Sequence, residues 1–278
     1  MTATATREIE TPLYFPGSAA PLFGVFHEAA EGGRLPFVFC HPFGEEKLWS
    51  HRVLVSTARE LSRRGHPVLR FDYAGNGDSM GEFGATTTDS YCADIDAAIG
   101  ELKARSGSDR VGVLGLRLGA TLAAQVAERR PDVNRLIAWA PITNGSGYLR
   151  DLLRINVTTQ LAVYREVRED RETLIRTLDA GGTANVDGYD IGREMSRQLR
   201  ALTLPATPAG FGGRVLLAHV DRNPAAQPAL DLRKMAQRYS DCTLVVVQEE
   251  PFWKEIVRFY NEAPNLLRTT LEWLDPQA

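Results

Sequence analysis

The segment that most narrows what this chain can fold into is Val111-Gly-Val-Leu-Gly-Leu-Arg-Leu-Gly-Ala-Thr-Leu-Ala-Ala. An apolar strand runs straight into an Ala-rich helix through the turn Gly115-Leu-Arg117-Leu-Gly119. A turn that short leaves no room for side chains on either side of its apex, and the two glycines sit where that room is missing. Ala120 and Thr121 then let the helix pack closely on the strand. This is the form of a nucleophile elbow, which lifts one side chain above the carboxyl ends of a sheet. The side chain at the apex is Arg117, a guanidinium that stays protonated and has no lone pair for attack.

Short β-branched runs alternate with helical patterns along the rest of the chain, which implies a mostly parallel sheet covered by helices. The strand candidates are Leu13 to Phe15 and Leu22 to Phe26, read as an antiparallel opening. Pro36 to His41, Pro67 to Tyr73, Val111 to Leu116, Leu136 to Pro141, Val215 to Val220 and Leu244 to Val247 follow. That makes about eight strands. Helical spacing marks His51 to Arg64, Asp89 to Arg105, Arg117 to Arg129, Ala229 to Tyr239 and Pro264 to Leu274. The alternation breaks from Gly145 to Pro208, a long, charged, Arg-rich stretch. An insertion at that point of an α/β sheet is expected to cap the site, because ligands bind beyond the carboxyl ends of the strands. The 278 residues are read as one domain, 1–278, with this cap insertion at about 145–208.

If the apex carried a serine, a histidine after the last strand would serve it. The chain has none after His219; the strand at Leu244 runs instead into Gln248-Glu-Glu250-Pro-Phe-Trp253. Asp221 does stand where the acid of such a triad is expected. Ser79 and Ser146 are alternative nucleophiles, but neither sits at a strand-to-helix apex. Glu45 and Glu46, in Cys40-His-Pro-Phe-Gly-Glu-Glu-Lys47, are natural counter-ions for Arg117, and the backbone N–H groups of Phe43 and Leu118 are placed to face each other across the pocket. His41 is a possible displaced base or a hydrogen-bonded structural residue. In Phe71-Asp72-Tyr-Ala-Gly-Asn-Gly-Asp78-Ser79 the small residues suit tight turns, and Asp72 and Asp78 read as holding the loop.

His41-Pro-Phe-Gly-Glu-Glu-Lys, the Gly-Asp-Ser loop, Gly115-Leu-Arg-Leu-Gly-Ala, Trp139-Ala-Pro-Ile with Asn144-Gly145, and Pro251-Phe-Trp253 together resemble the second type of exosortase-system-associated hydrolase. The resemblance runs from about Phe15 to Leu274; more distantly the chain is similar to the serine aminopeptidase-like branch of the α/β-hydrolases. His41 departs from that family's pattern, where an apolar or proline-like residue is common. The resemblance implies an α/β-hydrolase fold and a link to bacterial export or exopolysaccharide gene clusters.

Two functions compete. One is a non-catalytic protein that keeps the pocket and binds a small-molecule, acyl-type or anionic ligand through Phe43, Glu45, Arg117, Leu118 and Trp253. The other is a hydrolase or acyltransferase with rearranged chemistry, its catalytic candidates being Arg117, Glu45, Glu46, His41, Asp221 and Glu250. A net charge of -3 gives no reason to expect nucleic acid. Nothing approaches the roughly 18 apolar residues of a membrane helix, and Met1 to Pro12 has no apolar signal core, so a cytoplasmic protein without stable membrane insertion is expected. Cys40, Cys92 and Cys242 fit reduced core thiols better than disulfides or a metal site, and no cofactor is expected.

Overall fold

In the computed structural model, which describes residues 10–29, 33–203, 209–254 and 260–275, all six residues of the strand Val111–Leu116 are buried. A strand buried on both faces lies inside a sheet covered by helices on each side. In chain order the strands are β1 (Glu10–Pro16), β2 (Pro21–His27), β3 (Phe37–Cys40), β4 (Val68–Phe71), β5 (Val111–Leu116), β6 (Val133–Trp139), β7 (Ala184–Val186), β8 (Tyr189–Ile191), β9 (Arg214–Asp221) and β10 (Cys242–Gln248). Eight of them form one sheet in the order β1-β2-β4-β3-β5-β6-β9-β10, and β7 and β8 form a separate hairpin. β1 and β2 pair antiparallel, β2 meets β4 antiparallel, and every pairing from β4 to β10 is parallel. This is the α/β-hydrolase fold.

The helices are α1 (Glu45–Arg63), α2 (Thr88–Ser106), α3 (Leu118–Arg129), α4 (Gly145–Tyr164), α5 (Arg171–Asp179), α6 (Arg193–Ala201), α7 (Leu230–Gln237) and α8 (Pro264–Leu274). Strand residues point alternately to two apolar layers. Val113, Leu136, Ala138 and Leu217 join Ile95 and Ile99 of α2 and Leu122 and Val126 of α3. Leu114, Leu116, Ile137, Trp139 and Leu216 join Val53, Leu54 and Leu61 of α1 and Leu266 and Trp273 of α8.

Two elements differ from the sequence reading. Helix α1 begins at Glu45 rather than His51, because Gly44 turns the chain at φ 56° and ψ -135° immediately after β3. Glu45 and Glu46 then occupy the first helical turn, where a carboxylate complements the positive end of the helix dipole. The stretch read as a helical insertion also holds the β7–β8 hairpin, whose two-residue loop has Asp187 at φ 50° and Gly188 at φ 90°. Two positive-φ residues, here Asp-Gly, are the signature of the type I′ turn. Residues 204–208 of that insertion and residues 1–9 of the N-terminal stretch lie outside the described residues. The three cysteines are free thiols, and burial raises the pKa of each, Cys92 and Cys242 to about 12. No helix among the described residues is long and apolar enough to cross a membrane.

Candidate functional site

The elbow is formed as the glycines require. Arg117 stands between β5 and α3 at φ 55° and ψ -122°, a conformation that L-residues with a Cβ rarely adopt. Its N–H donates to the Trp139 carbonyl at 3.0 Å, and its own carbonyl accepts from Ala120 and Thr121. A Cβ on Gly119 would come 2.3 Å from the Cys40 carbonyl oxygen and 2.4 Å from that of His41. A Cβ on Gly115 would meet the Ala120 backbone at 2.5 Å. Both glycines are therefore set by contact with backbone that cannot swing aside.

From this apex the Arg117 side chain enters a cleft of about 670 Å³. Its Nε donates to Glu46 Oε1 at 3.0 Å, and Glu46 Oε2 accepts from the Tyr148 hydroxyl at 3.0 Å. The guanidinium carbon lies 5.3 Å from the Trp253 ring centroid and 5.7 Å from that of Tyr148, within range for attraction between a cation and an aromatic face. Arg117 and Glu46 are mostly covered, at 21% and 17% side-chain exposure. Desolvation pushes the Glu46 carboxyl above its ordinary value, opposed by Arg117, Tyr148 and Lys254. Desolvation likewise raises the Tyr148 hydroxyl, and the Glu46 charge adds to it. Tyr148 thus remains a neutral donor to a carboxylate whose two oxygens are both engaged.

The cleft draws on five parts of the chain. Phe43, Gly44, Glu45, Glu46 and Trp49 come from the β3–α1 turn and the start of α1, and Arg117 from the elbow. Tyr148, Asp151, Leu152, Arg154 and Ile155 come from α4, Val186, Asp187 and Tyr189 from the hairpin, and Trp253 and Lys254 from beyond β10. Trp253 is 4% exposed, and its buried indole nitrogen has no hydrogen-bond partner among the described residues. Glu45 shares a hydrogen bond with the Tyr189 hydroxyl.

Phe43, Glu45, Glu46, Arg117 and Trp253, which the sequence singled out, are thus brought together. Leu118 is the first residue of α3 and is buried off the cleft lining. His41 is held by backbone on both sides of its ring: Nδ1 bonds the Pro42 carbonyl at 2.7 Å, and Nε2 accepts the Tyr73 N–H at 3.3 Å. Burial, with Lys47 nearby, lowers its pKa to about 3, so it is neutral. Asp221 accepts from the Asn223 N–H, and Glu250 pairs with Arg222; neither lines the cleft. Asp72 pairs with Lys47 at 2.6 Å and accepts from the Asp78 N–H, which ties the loop after β4.

Sequence reasoning passed over two features. Gly77-Asp-Ser79-Met-Gly81 has the Gly-x-Ser-x-Gly spacing, but it lies in a loop rather than between strand and helix. The Ser79 hydroxyl donates to the Asp72 carbonyl at 2.6 Å and accepts from the Phe23 N–H at 2.8 Å, so its work is to fasten the loop to β2. Ser146 likewise donates to the Arg200 carbonyl. Tyr148 was also missed; only its place at the foot of α4, after the Asn144 cap, hints that it reaches the elbow.

The profile of the family described as "Serine aminopeptidase, S33" matches residues 35–204, and the chain belongs to that family. An uncharacterized protein of Rickettsia prowazekii is 27% identical over 134 residues, 48% of this chain and 56% of its own length. Protein ABHD12B of Homo sapiens is 34% identical over 123 residues, 43% of this chain and 33% of its own. The chain thus spans between a third and just over half of these relatives. Among solved structures it is similar to Est1E from Butyrivibrio proteoclasticus with ferulic acid bound, at 18% identity and TM-score 0.65 over 94% of this chain and 99% of the other. Alpha/beta hydrolase domain-containing protein 10 from mouse aligns at 17% identity and TM-score 0.62, over 96% and 100%. At these identities the likeness speaks for the fold alone.

Proposed function

We propose that this protein is a pseudoenzyme of its family, a binder of small-molecule anions that does not work as a serine hydrolase. The observation that carries the reading is Arg117 itself. It holds the elbow apex, its Nε is tied to Glu46, and it is flanked by Tyr148 and Trp253. A guanidinium at that point can neither attack a carbonyl nor be acylated, but it can hold an oxyanion. The adjoining N-terminus of α3 favours negative charge at the same place.

In this reading residues 1–278 are one domain and the insertion at about 145–208 acts as its cap, with Tyr148 linking the cap to the elbow through Glu46. The alternative, hydrolysis or acyl transfer on a carboxylate, is less well supported: Glu46 has both oxygens engaged and Glu250 lies off the cleft. The resemblance to exosortase-associated hydrolases extends the proposal to a cytoplasmic role beside bacterial export or exopolysaccharide synthesis.

The test is direct. A fluorophosphonate probe and p-nitrophenyl esters are expected to give neither labelling nor turnover above a heat-denatured control. Stoichiometric labelling of any serine refutes the reading.

A further inference from the structure

We infer that the chain carries a second ligand site, apart from the Arg117 cleft, in which Arg70 receives the oxyanion of a small, singly charged organic molecule. The site is a cavity of about 370 Å³ lined by α1 and by β2, β3 and β4. It shares no lining residue with the Arg117 cleft and does not depend on the function proposed for that cleft. The first ground is how Arg70 is engaged. Its Nε donates to His27 Nε2 at 2.9 Å, so that ring nitrogen is an acceptor and the imidazole is neutral, with Nδ1 turned to Glu10 at 3.5 Å. Nη1 and Nη2 have no hydrogen-bond acceptor, and Arg70 has no ion pair, among the described residues. Desolvation is the largest influence on Arg70 and lowers its pKa, against Glu10 and Asp72. A guanidinium that has given up water without gaining a carboxylate presents a planar pair of donors to an entering oxyanion.

The second ground is the charge around those donors, each group counted once. Lys47 is paired with Asp72 at 2.6 Å, and Arg59 with Glu10 at 2.6 Å. His41 and His51 are uncharged at neutral pH, since burial lowers the pKa of both. Arg52, close enough to act on His51, donates to the neutral side chain of Asn261, and Asp78 is exposed on the rim. Four cations, Lys47, Arg52, Arg59 and Arg70, thus stand against three carboxylates, Glu10, Asp72 and Asp78. One negative charge on a ligand closes that balance. A second would meet Glu10 and Asp72 with their cations already committed, which disfavours a phosphate dianion. The third ground is the wall: Phe23, Val25, Phe39, Leu54 and Phe71 give an apolar lining to a cavity whose size suits a small organic molecule.

The experiment follows the ring signals of His27 and His51 by NMR in the intact chain, carbon-13 labelled at histidine, at low salt and pH 8. The probes are benzoate, benzamide and phenyl phosphate. Benzoate is expected to shift both signals saturably and to bind about tenfold or more tighter than benzamide, the difference between a charge-assisted and a neutral contact. It is also expected to outbind phenyl phosphate. Arg117→Gln should leave these shifts in place, which separates this site from the cleft. Arg70→Gln should erase the preference over benzamide; it strands no carboxylate, because Glu10 keeps Arg59 and Asp72 keeps Lys47. His51→Glu, at an exposed position where folding is not at stake, adds a negative charge at the rim and should weaken benzoate alone, read at His27. Equal binding of benzoate and benzamide, tighter binding of phenyl phosphate, shifts that survive Arg70→Gln or vanish in Arg117→Gln, or no shift up to millimolar concentration overturns the inference.

Discussion

Two turns of this molecule share a backbone conformation and differ in what fills it. After β3 the chain turns at Gly44, with φ 56° and ψ -135°; after β5 it turns at Arg117, with φ 55° and ψ -122°. Both turns launch a helix at once, and both border the cleft. At the first, a residue without a Cβ takes the strained geometry at little cost. At the second, the chain keeps a large side chain in a conformation that costs on the order of 1 to 3 kcal/mol for a non-glycine residue. A turn needed only as a turn is made with glycine. The strain at Arg117 persists because its side chain is anchored by Glu46 and by the rings of Tyr148 and Trp253.

The comparison is broken most forcefully at Gly119, whose absent Cβ would sit 2.3 Å from one backbone carbonyl oxygen and 2.4 Å from another. Gly119→Ala is expected to destabilise the fold by about 3 to 5 kcal/mol, because neither strand end nor helix can withdraw. Chemical denaturation measures it; a loss under 1 kcal/mol would mean that elbow and β3 are not in contact.

Next in size is Arg117, where two substitutions separate side chain from backbone. Arg117→Ala strands the Glu46 carboxylate, and with the pair about one-fifth exposed and Tyr148 still donating, the expected loss is about 2 to 4 kcal/mol. Arg117→Gly loses the same pair but releases the turn, a relief of about 1 to 3 kcal/mol against about 0.5 to 1 for glycine's extra chain entropy. The glycine variant should therefore be the more stable by about 1 kcal/mol, the reverse of the usual order. Equal melting temperatures would show that the apex is unstrained.

Gly44→Ala is the mirror experiment and a smaller one. The nearest atoms to a Cβ there belong to the Tyr189 ring, at 3.5 Å, an ordinary contact. Its cost is backbone strain less the entropy gained in the unfolded chain, about 1 kcal/mol. A loss as large as that of Gly119→Ala would show that the space around Gly44 is closed.

The same pair of turns marks what was legible in the amino-acid sequence. β5 and α8 fall where apolar spacing put them, and the elbow is written in its glycines, because each is dictated by neighbours a few residues away. The onset of α1 was not legible: it follows from the positive φ of Gly44, and Cys40 to Lys47 has the small and polar residues of a loop. For the same reason the choice between Glu45 and Glu46 stayed open, since it depends on the helical phase that Gly44 sets. Tyr148 and Lys254 reach the cleft from the insertion and from beyond β10, separations over which residue spacing carries no information. His41 shows the converse. It stands at the end of the strand leading to the cleft, but both ring nitrogens turn to backbone, and a hydrogen-bond partner so distant in sequence as Tyr73 cannot be read from the motif.

The smallest expected effect concerns which force governs Glu46. Two act on it in opposite senses: desolvation favours the neutral carboxyl, and Arg117, Tyr148 and Lys254 favour the carboxylate. Desolvation is the larger and leaves the folded pKa above the ordinary value of 4.5. A group raised on folding binds its proton more tightly in the folded chain. Its contribution is complete below the unfolded pKa and is lost as pH rises through the folded one. Glu46→Gln cannot titrate and keeps its stability across that range, while every other group cancels in the difference between the two proteins. The melting temperature of Glu46→Gln relative to wild type should therefore climb as pH is raised from below 4.5 toward neutrality. If the ion pair instead outweighed desolvation, the folded pKa would lie below 4.5 and the wild type would gain on the variant as pH rises. The sign of that slope thus decides whether Arg117 holds Glu46 as a charge it stabilises or one it only makes tolerable, and so how firmly the side chain that justifies the strained turn is anchored.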